Sequence, residues 1–186
     1  VTVLRHGQPV SLQVPLTLAC AFAIDIGNAP SLNAYSDGRR IMITRGLLDA
    51  VAADADIAAI LAREIAHNVL QHARQLQQTA TISGIIDSLL PLNPDPASYA
   101  GGNGIKTTPE KMDLEADRLA LFMLGRAGYD LLALERVSKQ LAETAPTTLP
   151  NTYSALHPWT AERQSQAQVT IKEIRQKQAA KKPIVP

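Results

Sequence analysis

The chain has 186 residues, of which 46% are hydrophobic and 19% are charged, with 18 lysines and arginines against 17 aspartates and glutamates. This length accommodates one compact domain with a sizeable core, and the balanced charge argues against disorder and against a nucleic-acid partner. Aromatic residues make up 4% of the chain, which favours helices packed through small side chains over an aromatic-rich sheet core.

Residues 1–44 show the alternation that is typical of short strands. Apolar residues alternate with polar ones on both sides of a His-Gly-Gln-Pro turn, which predicts a hairpin over 1–14. The run 16–26 and the segment 40–44, which follows a Ser-Asp-Gly turn, also predict strands. We therefore expect a small N-terminal antiparallel sheet.

Helical periodicity begins after Thr44. Apolar residues recur at helical spacing from Ile57 to Val69, and they predict a long central helix that ends near Gln78. The proline- and glycine-rich stretch 91–109 predicts a loop, and Gly128 predicts a helix end. The fold class is therefore α+β and dominated by helix. Further helices are predicted over 79–90, 110–127, 131–144 and 161–182.

The central helix carries the sequence Arg63-Glu64-Ile65-Ala66-His67, which is one residue away from H-E-x-x-H. In that motif, two histidines on one helical face bind zinc, and the glutamate polarises a metal-bound water as general base. Arg63 stands in place of the first histidine, and a guanidinium has no lone pair with which to bind a cation. Taken alone, the motif favours a buried structural His67 and a solvated Glu64 over a metal site.

Further segments accompany this degenerate motif in order along the chain. With them, residues 16–163 resemble the minigluzincin zinc peptidases, the family that includes CAAX prenyl proteases and soluble quality-control peptidases of cell envelopes and mitochondria. The resemblance implies a small sheet packed on an active-site helix, and a second helix that supplies the third zinc ligand. The segments are Asn-Ala-Tyr-Ser-Asp-Gly at 33–38, Thr-Arg-Gly-Leu-Leu at 44–48, Glu-Ala-Asp-Arg at 115–118, Arg-Ala-Gly-Tyr-Asp at 126–130, and His-Pro at 157–158 with Arg163.

The resemblance assigns roles to individual residues. Glu64 matches the catalytic base and His67 matches a zinc ligand, while Asp113 stands where the family has a glutamate ligand that is one methylene longer. His157 matches a late histidine that can approach the metal from a loop, and Asp117 matches a carboxylate that orients a ligand. The alternatives are a loop histidine without a role and an ordinary carboxylate on a helix surface.

One short segment and one further histidine also carry expectations. Asn33, Ala34 and Tyr35 match the strand edge beside the family's cleft, where an extended substrate could add as a strand; the alternative is a plain sheet edge. His72 follows His67 by five residues, about 140° around a continuous helix, so we expect it to be structural and to point elsewhere.

Three functional hypotheses follow. In the first, Arg63 occupies the space of the single zinc ion and pairs with Asp113 or Glu64, so the chain is a pseudoenzyme that binds extended or misfolded polypeptide clients. In the second, the chain is an active zinc metalloendopeptidase with His67, Asp113 and His157 as ligands and Glu64 as base. In the third, it is a helical adaptor whose polar C-terminal helix docks a partner. Zinc content separates the first two, and peptide binding tests the third.

The chain divides by sequence into a hairpin at 1–15, a metallopeptidase-like domain at 16–165, and a polar C-terminal helix and tail at 166–186. Residues 1–10 resemble the last strands of a PDZ domain, and a plain hairpin is the alternative. The sequence begins at Val1 without a targeting segment, so we expect a processed or trimmed fragment. A cell envelope or periplasmic location and membrane-associated partners are implied by the resemblance alone.

Overall fold

The computed structural model describes residues 2–5, 7–11, 22–51, 53–94, 109–144 and 159–186. Within these residues helices predominate over two small sheets, which confirms the α+β class. The predicted loop over 91–109 lies largely outside the described residues. The strands are β1 (Thr2–Arg5), β2 (Gln8–Ser11), β3 (Ala23–Gly27), β4 (Ala34–Ser36) and β5 (Arg40–Thr44).

The helices follow the sheet in the order of the chain. They are α1 (Arg45–Ala50), α2 (Asp54–Val69), α3 (His72–Gln75), α4 (Thr79–Leu89), α5 (Glu110–Ala127), α6 (Ala133–Thr144) and α7 (Ala161–Ala179). Among the helices of the described residues, none is both long and apolar enough to cross a bilayer.

The predicted hairpin forms from β1 and β2, which pair antiparallel. The second sheet has the order β3-β5-β4, in which β4 runs antiparallel to β5 but β3 runs parallel to it. The expectation of an all-antiparallel sheet is therefore wrong for the β3–β5 pair. Side chains alternate with period two in both kinds of strand, so the sequence pattern does not distinguish them.

A tight turn joins β4 to β5 and fixes their register. The Oδ1 atom of Asp37 accepts hydrogen bonds from the backbone N–H groups of Arg39 and Arg40, at 2.8 and 2.7 Å. Gly38 has a φ of +97°, which a residue without a side chain adopts without strain. The turn places the three central residues of β5 in the core between two neighbouring strands.

The main core forms where α2 packs against α5, α6 and the sheet. Small residues fill this contact, because Ala59, Ala62 and Ala66 of α2 and Ala116 and Ala120 of α5 are all buried. The helices therefore approach closely, as the composition predicts. A second apolar cluster forms between the sheet and α4.

Two helix ends decide the geometry near the candidate site. The α5 helix ends at Gly128 in the left-handed conformation, as predicted. The central helix, in contrast, ends at Val69 and not near Gln78, because Gln71 adopts a φ of +57° and redirects the chain into α3. The C-terminal α7 packs on α5 and crosses the sequence boundary set at 165 and 166.

Candidate active site

The degenerate motif lies in the middle of α2, and its polar side chains are buried. Arg63, Glu64 and His67 are 4%, 1% and 2% exposed. Arg63 and His67 are four residues apart and therefore share one face of the helix. That face meets α5, where Asp113 and Asp117 are also four residues apart and also buried. Two helices thus bring five polar groups into one enclosed cluster.

The guanidinium of Arg63 is the centre of this cluster. Its Nη2 donates a hydrogen bond to Asp113 Oδ1 at 2.8 Å, and its Nη1 lies 3.5 Å from Glu64 Oε1. Its Nε lies 3.4 Å from Asp117 Oδ1. The expected pairing of Arg63 with Asp113 or Glu64 is confirmed, with Asp113 as the closer partner.

Asp117 links the cluster to the C-terminal helix. Its two oxygens accept hydrogen bonds from Nε and Nη2 of Arg163 at 2.7 and 2.9 Å. Arg163 is itself buried and stacks over the Trp159 ring at 4.8 Å. The reading of Asp117 as an ordinary surface carboxylate is therefore wrong, because the carboxylate is enclosed between two arginines.

Arg163 and Ser36 belong to the site although the sequence assigned no role to either. In the sequence, Arg163 stood out only as the last residue in the series of segments that resemble the family. It lies in the first turn of α7, which Thr160 caps by accepting a hydrogen bond from the Arg163 N–H. Ser36, the last residue of β4, donates a side-chain hydrogen bond to Glu64.

Glu64 faces a closed space. A cavity of about 10 Å³ adjoins it and is bounded by apolar residues of α6 and by Ser138, which is room for about one water molecule. Burial raises the pKa of Glu64 above its ordinary 4.5, against the opposing effects of the Arg63 charge and the Ser36 hydrogen bond. Two guanidiniums face three carboxylates here, and the raised pKa of Glu64 reduces the surplus of negative charge.

His72 contacts His67 directly, which corrects the expectation that it points elsewhere. Their Nδ1 atoms are 2.9 Å apart, so one ring donates and the other accepts. The estimate of about 140° assumed a continuous helix, whereas the break at Gln71 turns His72 back onto α2. Burial lowers the pKa of His72, although Glu115 at 3.5 Å acts in the opposite direction.

The residues of this cluster do not fit a zinc ion. His67 Nε2 and Asp113 Oδ1 are near neighbours at 3.9 Å, although two ligands of a tetrahedral zinc with bonds of about 2.0–2.1 Å lie only roughly 3.4 Å apart. The same Asp113 oxygen, however, already accepts the hydrogen bond from Arg63, which cannot act as a ligand. In the part of the chain that the structure describes, no group of three or more histidines, cysteines or carboxylates is arranged to hold a metal. His157, the candidate replacement ligand, lies outside that part.

The predicted substrate edge is closed. Asn33, Ala34 and Tyr35 are at most 5% exposed, and the Asn33 side chain donates to the Tyr35 hydroxyl at 2.6 Å. Burial raises the pKa of Tyr35 to about 12. At the opposite edge of the sheet, Ile24 and Ile26 of β3 are 55% and 52% exposed. The accessible edge is therefore β3 and not β4.

Comparison with known proteins agrees with this architecture. The profile of peptidase family M48 matches residues 9–94, a segment that contains the sheet, α2 and the degenerate motif. The chain is also 27% identical, over 135 residues, to the mitochondrial metalloendopeptidase OMA1 of Arabidopsis thaliana. That match covers 70% of this chain and 28% of the relative, so the chain spans little more than a quarter of the relative's length. Residues 9–94 are therefore similar to peptidase family M48, and the two similarities together support a relationship to zinc metallopeptidases.

Proposed function

We propose that this chain is an M48-family domain that does not hydrolyse peptide bonds and that acts by binding extended or misfolded polypeptides. The observation that carries the proposal is the hydrogen bond of 2.8 Å between Arg63 Nη2 and Asp113 Oδ1. A fixed monovalent cation stands where the family's motif has a histidine, and it uses the carboxylate that would have been a ligand.

The ion pair opposes metal binding by a definable amount. For zinc to reach His67 and Asp113, Arg63 must leave a buried pair, and breaking such a pair costs about 3–5 kcal/mol. That cost lowers the affinity for metal by roughly a hundredfold to several thousandfold. The guanidinium would also remain in an enclosed space without its carboxylate partner.

Glu64 has no substrate within reach in this arrangement. A general base must lie within hydrogen-bond distance of the proton that it removes. The cavity beside Glu64 measures about 10 Å³ and admits no peptide. The carboxyl group therefore acts as a buried partner of Arg63 and Ser36 rather than as a base.

The accessible edge of the sheet supports the binding role. Among the described strands, β3 pairs on one side only, with β5. An open edge offers backbone donors and acceptors to an extended chain, and exposed β-branched side chains such as Ile24 and Ile26 favour strand pairing. We assign client binding to this edge, with quality control in a cell envelope as its setting. The Arabidopsis relative is named as a mitochondrial protein. The cell-envelope location of this chain is therefore itself part of the proposal.

Metal content tests the first half of the proposal. Zinc is measured by elemental analysis on tag-free protein purified without chelator, for the wild-type chain, Arg63→His and Arg63→Lys. We expect no zinc in the wild type or in Arg63→Lys, and about one zinc per chain in Arg63→His, which completes a shell with His67 and Asp113. If the wild type holds about one zinc that His157→Ala removes, the chain is the active endopeptidase of the second hypothesis. If Arg63→His binds none, the assignment of Asp113 is wrong.

Binding of a fluorescently labelled, permanently unfolded polypeptide tests the second half. Lysine at Ile24 and Ile26 adds charge to the β3 edge, and we expect it to weaken binding by about tenfold or more. Val69→Lys is the matched control, because Val69 is a similarly exposed apolar residue on α2. Equal loss in the two variants would mean that the polypeptide does not bind at β3.

A further inference from the structure

The C-terminal helix forms one wall of an open groove that the proposed function does not use. The groove has a volume of about 560 Å³ beside Leu132, and none of its lining residues belongs to the Arg63 cluster. Its volume falls within the range of about 300–1,000 Å³ that is usual for ligand sites. The main lining residues are Leu132, Gln168, Ile171, Lys172, Arg175 and Gln176.

The groove face of α7 is distinct from its packing face. Gln168, Lys172 and Arg175 are spaced three or four residues apart, so they lie along one side of the helix. Ala167, Ile171 and Ile174 lie on another side and are buried in the main core, and Ile171 reaches the groove only at its floor. The face with Lys172 and Arg175 is therefore exposed along the C-terminal half of α7.

The charge of the groove is positive. Lys172 and Arg175 line it, and no carboxylate does. Between residues 168 and 179 the sequence has a single acidic residue, Glu173, and its carboxylate pairs with Arg118 and Lys177 at 2.9 and 2.7 Å. Asp130, which is near enough to Arg175 for their charges to interact, is held by Arg136 at 2.8 Å.

The remaining lining residues match a peptide backbone. The Gln168 and Gln176 side chains each present an amide donor and an amide acceptor, and no side chain or backbone group in the described residues hydrogen-bonds them. Leu132 is 46% exposed and supplies an apolar wall, whereas Ile171 is 5% exposed and contributes only to the floor. We propose that this groove binds an acidic, extended segment of a partner polypeptide, whose carboxylates pair with Lys172 and Arg175 while its backbone bonds the glutamine amides.

The concave shape favours a peptide over an anionic bilayer. A peripheral membrane site inserts protruding apolar side chains into the interface, whereas here Ile171 is buried and Leu132 lines the groove together with the cations. The groove shares no residue with the β3 edge or with the Arg63 cluster. If the groove binds no peptide, the proposed function is therefore unaffected. If the proposed function is wrong, the proposal for the groove is equally unaffected.

Fluorescence anisotropy on the full chain tests the groove. The probe is a labelled dodecapeptide in which aspartate and glutamate alternate with leucine, and the control peptide has lysine at every acidic position. We expect the wild-type chain to bind the acidic probe. The Lys172→Glu/Arg175→Glu variant should bind the same probe with an affinity lower by about tenfold or more. Leu132→Ala should weaken it by roughly threefold, because it removes apolar contact.

The matched control is Lys181→Glu/Lys182→Glu, which makes the same change of charge on exposed residues just beyond α7. We expect this control to lower the affinity for the acidic probe by less than about threefold, through long-range electrostatics alone. Equal loss in the two double variants would overturn the proposal, because binding would then follow net charge. Sedimentation with vesicles of anionic and zwitterionic lipid is the second arm. Vesicle binding that depends on Lys172 and Arg175, without peptide binding, would also overturn it.

Discussion

Two arginine–carboxylate pairs join α5 to α7, and they differ mainly in burial. Asp117 holds Arg163 through two hydrogen bonds of 2.7 and 2.9 Å, with side chains 4% and 2% exposed. The next residue, Arg118, holds Glu173 at 2.9 Å, with side chains 42% and 32% exposed. The two pairs connect the same helices at nearly the same distance. Distance alone therefore does not decide which pair matters more for stability. The difference comes from the dielectric environment of each pair.

The buried pair is also part of a longer chain of contacts. Asp117 lies between Arg163 of α7 and Arg63 of α2, so a single carboxylate couples three helices. Water solvates neither arginine adequately if that carboxylate is lost. Around the exposed pair, by contrast, water replaces whichever partner is removed, and salt screens the attraction.

The largest expected effect comes from Asp117→Ala. Removing one partner of a buried ion pair costs about 3–5 kcal/mol, because it leaves a charge in an enclosed site. Here it leaves two guanidiniums with one fewer carboxylate, so we expect a loss in that range. Urea unfolding followed by far-ultraviolet circular dichroism measures it. Glu173→Ala is the matched control, and we expect a much smaller loss because water and salt screen the exposed pair. Similar losses in the two variants would contradict the comparison.

A smaller effect separates the net contribution of the ion pair to stability from the destabilisation that follows when only one partner is removed. The double variant Asp117→Leu/Arg163→Met replaces both charges by apolar groups, and such replacements are often neutral or stabilising. We expect it to recover about 2 kcal/mol or more of the loss caused by Asp117→Ala. Arg63 keeps its partner Asp113 in this variant. A double-mutant cycle with the two single variants measures the coupling, and a double variant no more stable than Asp117→Ala would count against it.

Some of this arrangement followed from the sequence. The family resemblance placed Asp113 opposite Arg63 as the third-ligand position, and the unlike charges of the two side chains then predicted the ion pair that the structure contains. Gly128 likewise marked the end of α5, because a left-handed residue at that position favours glycine. The helix end is local information, whereas the ion pair required the family resemblance to bring the two distant residues together.

Other features depend on contacts that no local pattern encodes. The left-handed Gln71 carries no glycine signal, and it brings His72 onto His67. Asp117 and Arg163 are far apart in the sequence, so the burial of their pair follows only from the packing of α7 on α5. The closed β4 edge also results from tertiary packing, since a strand pattern gives no account of what covers it.

Glu64→Gln tests whether the cluster holds a surplus of negative charge. Burial raises the pKa of Glu64 above its ordinary 4.5, so the folded state binds this proton more tightly than the unfolded state does. The contribution of Glu64 to stability therefore falls as the pH rises from 4.5 through the folded pKa. Glutamine does not ionise, so the variant should be more stable than the wild type at neutral pH and less dependent on pH. Its effect should be smaller than that of Asp117→Ala, because the Arg63–Asp113 pair stays intact.

Urea unfolding of Glu64→Gln and the wild type, at several pH values on either side of 4.5, gives the two profiles. The curves should converge at acidic pH and separate as the pH rises. Parallel curves over the whole window would show that Glu64 ionises normally in the folded protein, and that Arg63 balances its charge in full.

The smallest expected effect is that of Arg118→Ala, which removes the exposed pair. Its guanidinium also lies 5.0 Å from the centre of the Phe122 ring, but Lys177 lies 4.8 Å from the same ring and keeps a cation there. We expect a loss of about 0.2–1 kcal/mol at low ionic strength. The loss should shrink in about 1 M salt, where the screening length is roughly 3 Å. Unfolding of Arg118→Ala and Asp117→Ala in low and high salt makes the contrast direct, because salt should leave the buried loss nearly unchanged. If the loss in Asp117→Ala also shrinks with salt, water and ions reach that carboxylate, and the Arg63 cluster is open enough for a metal to compete.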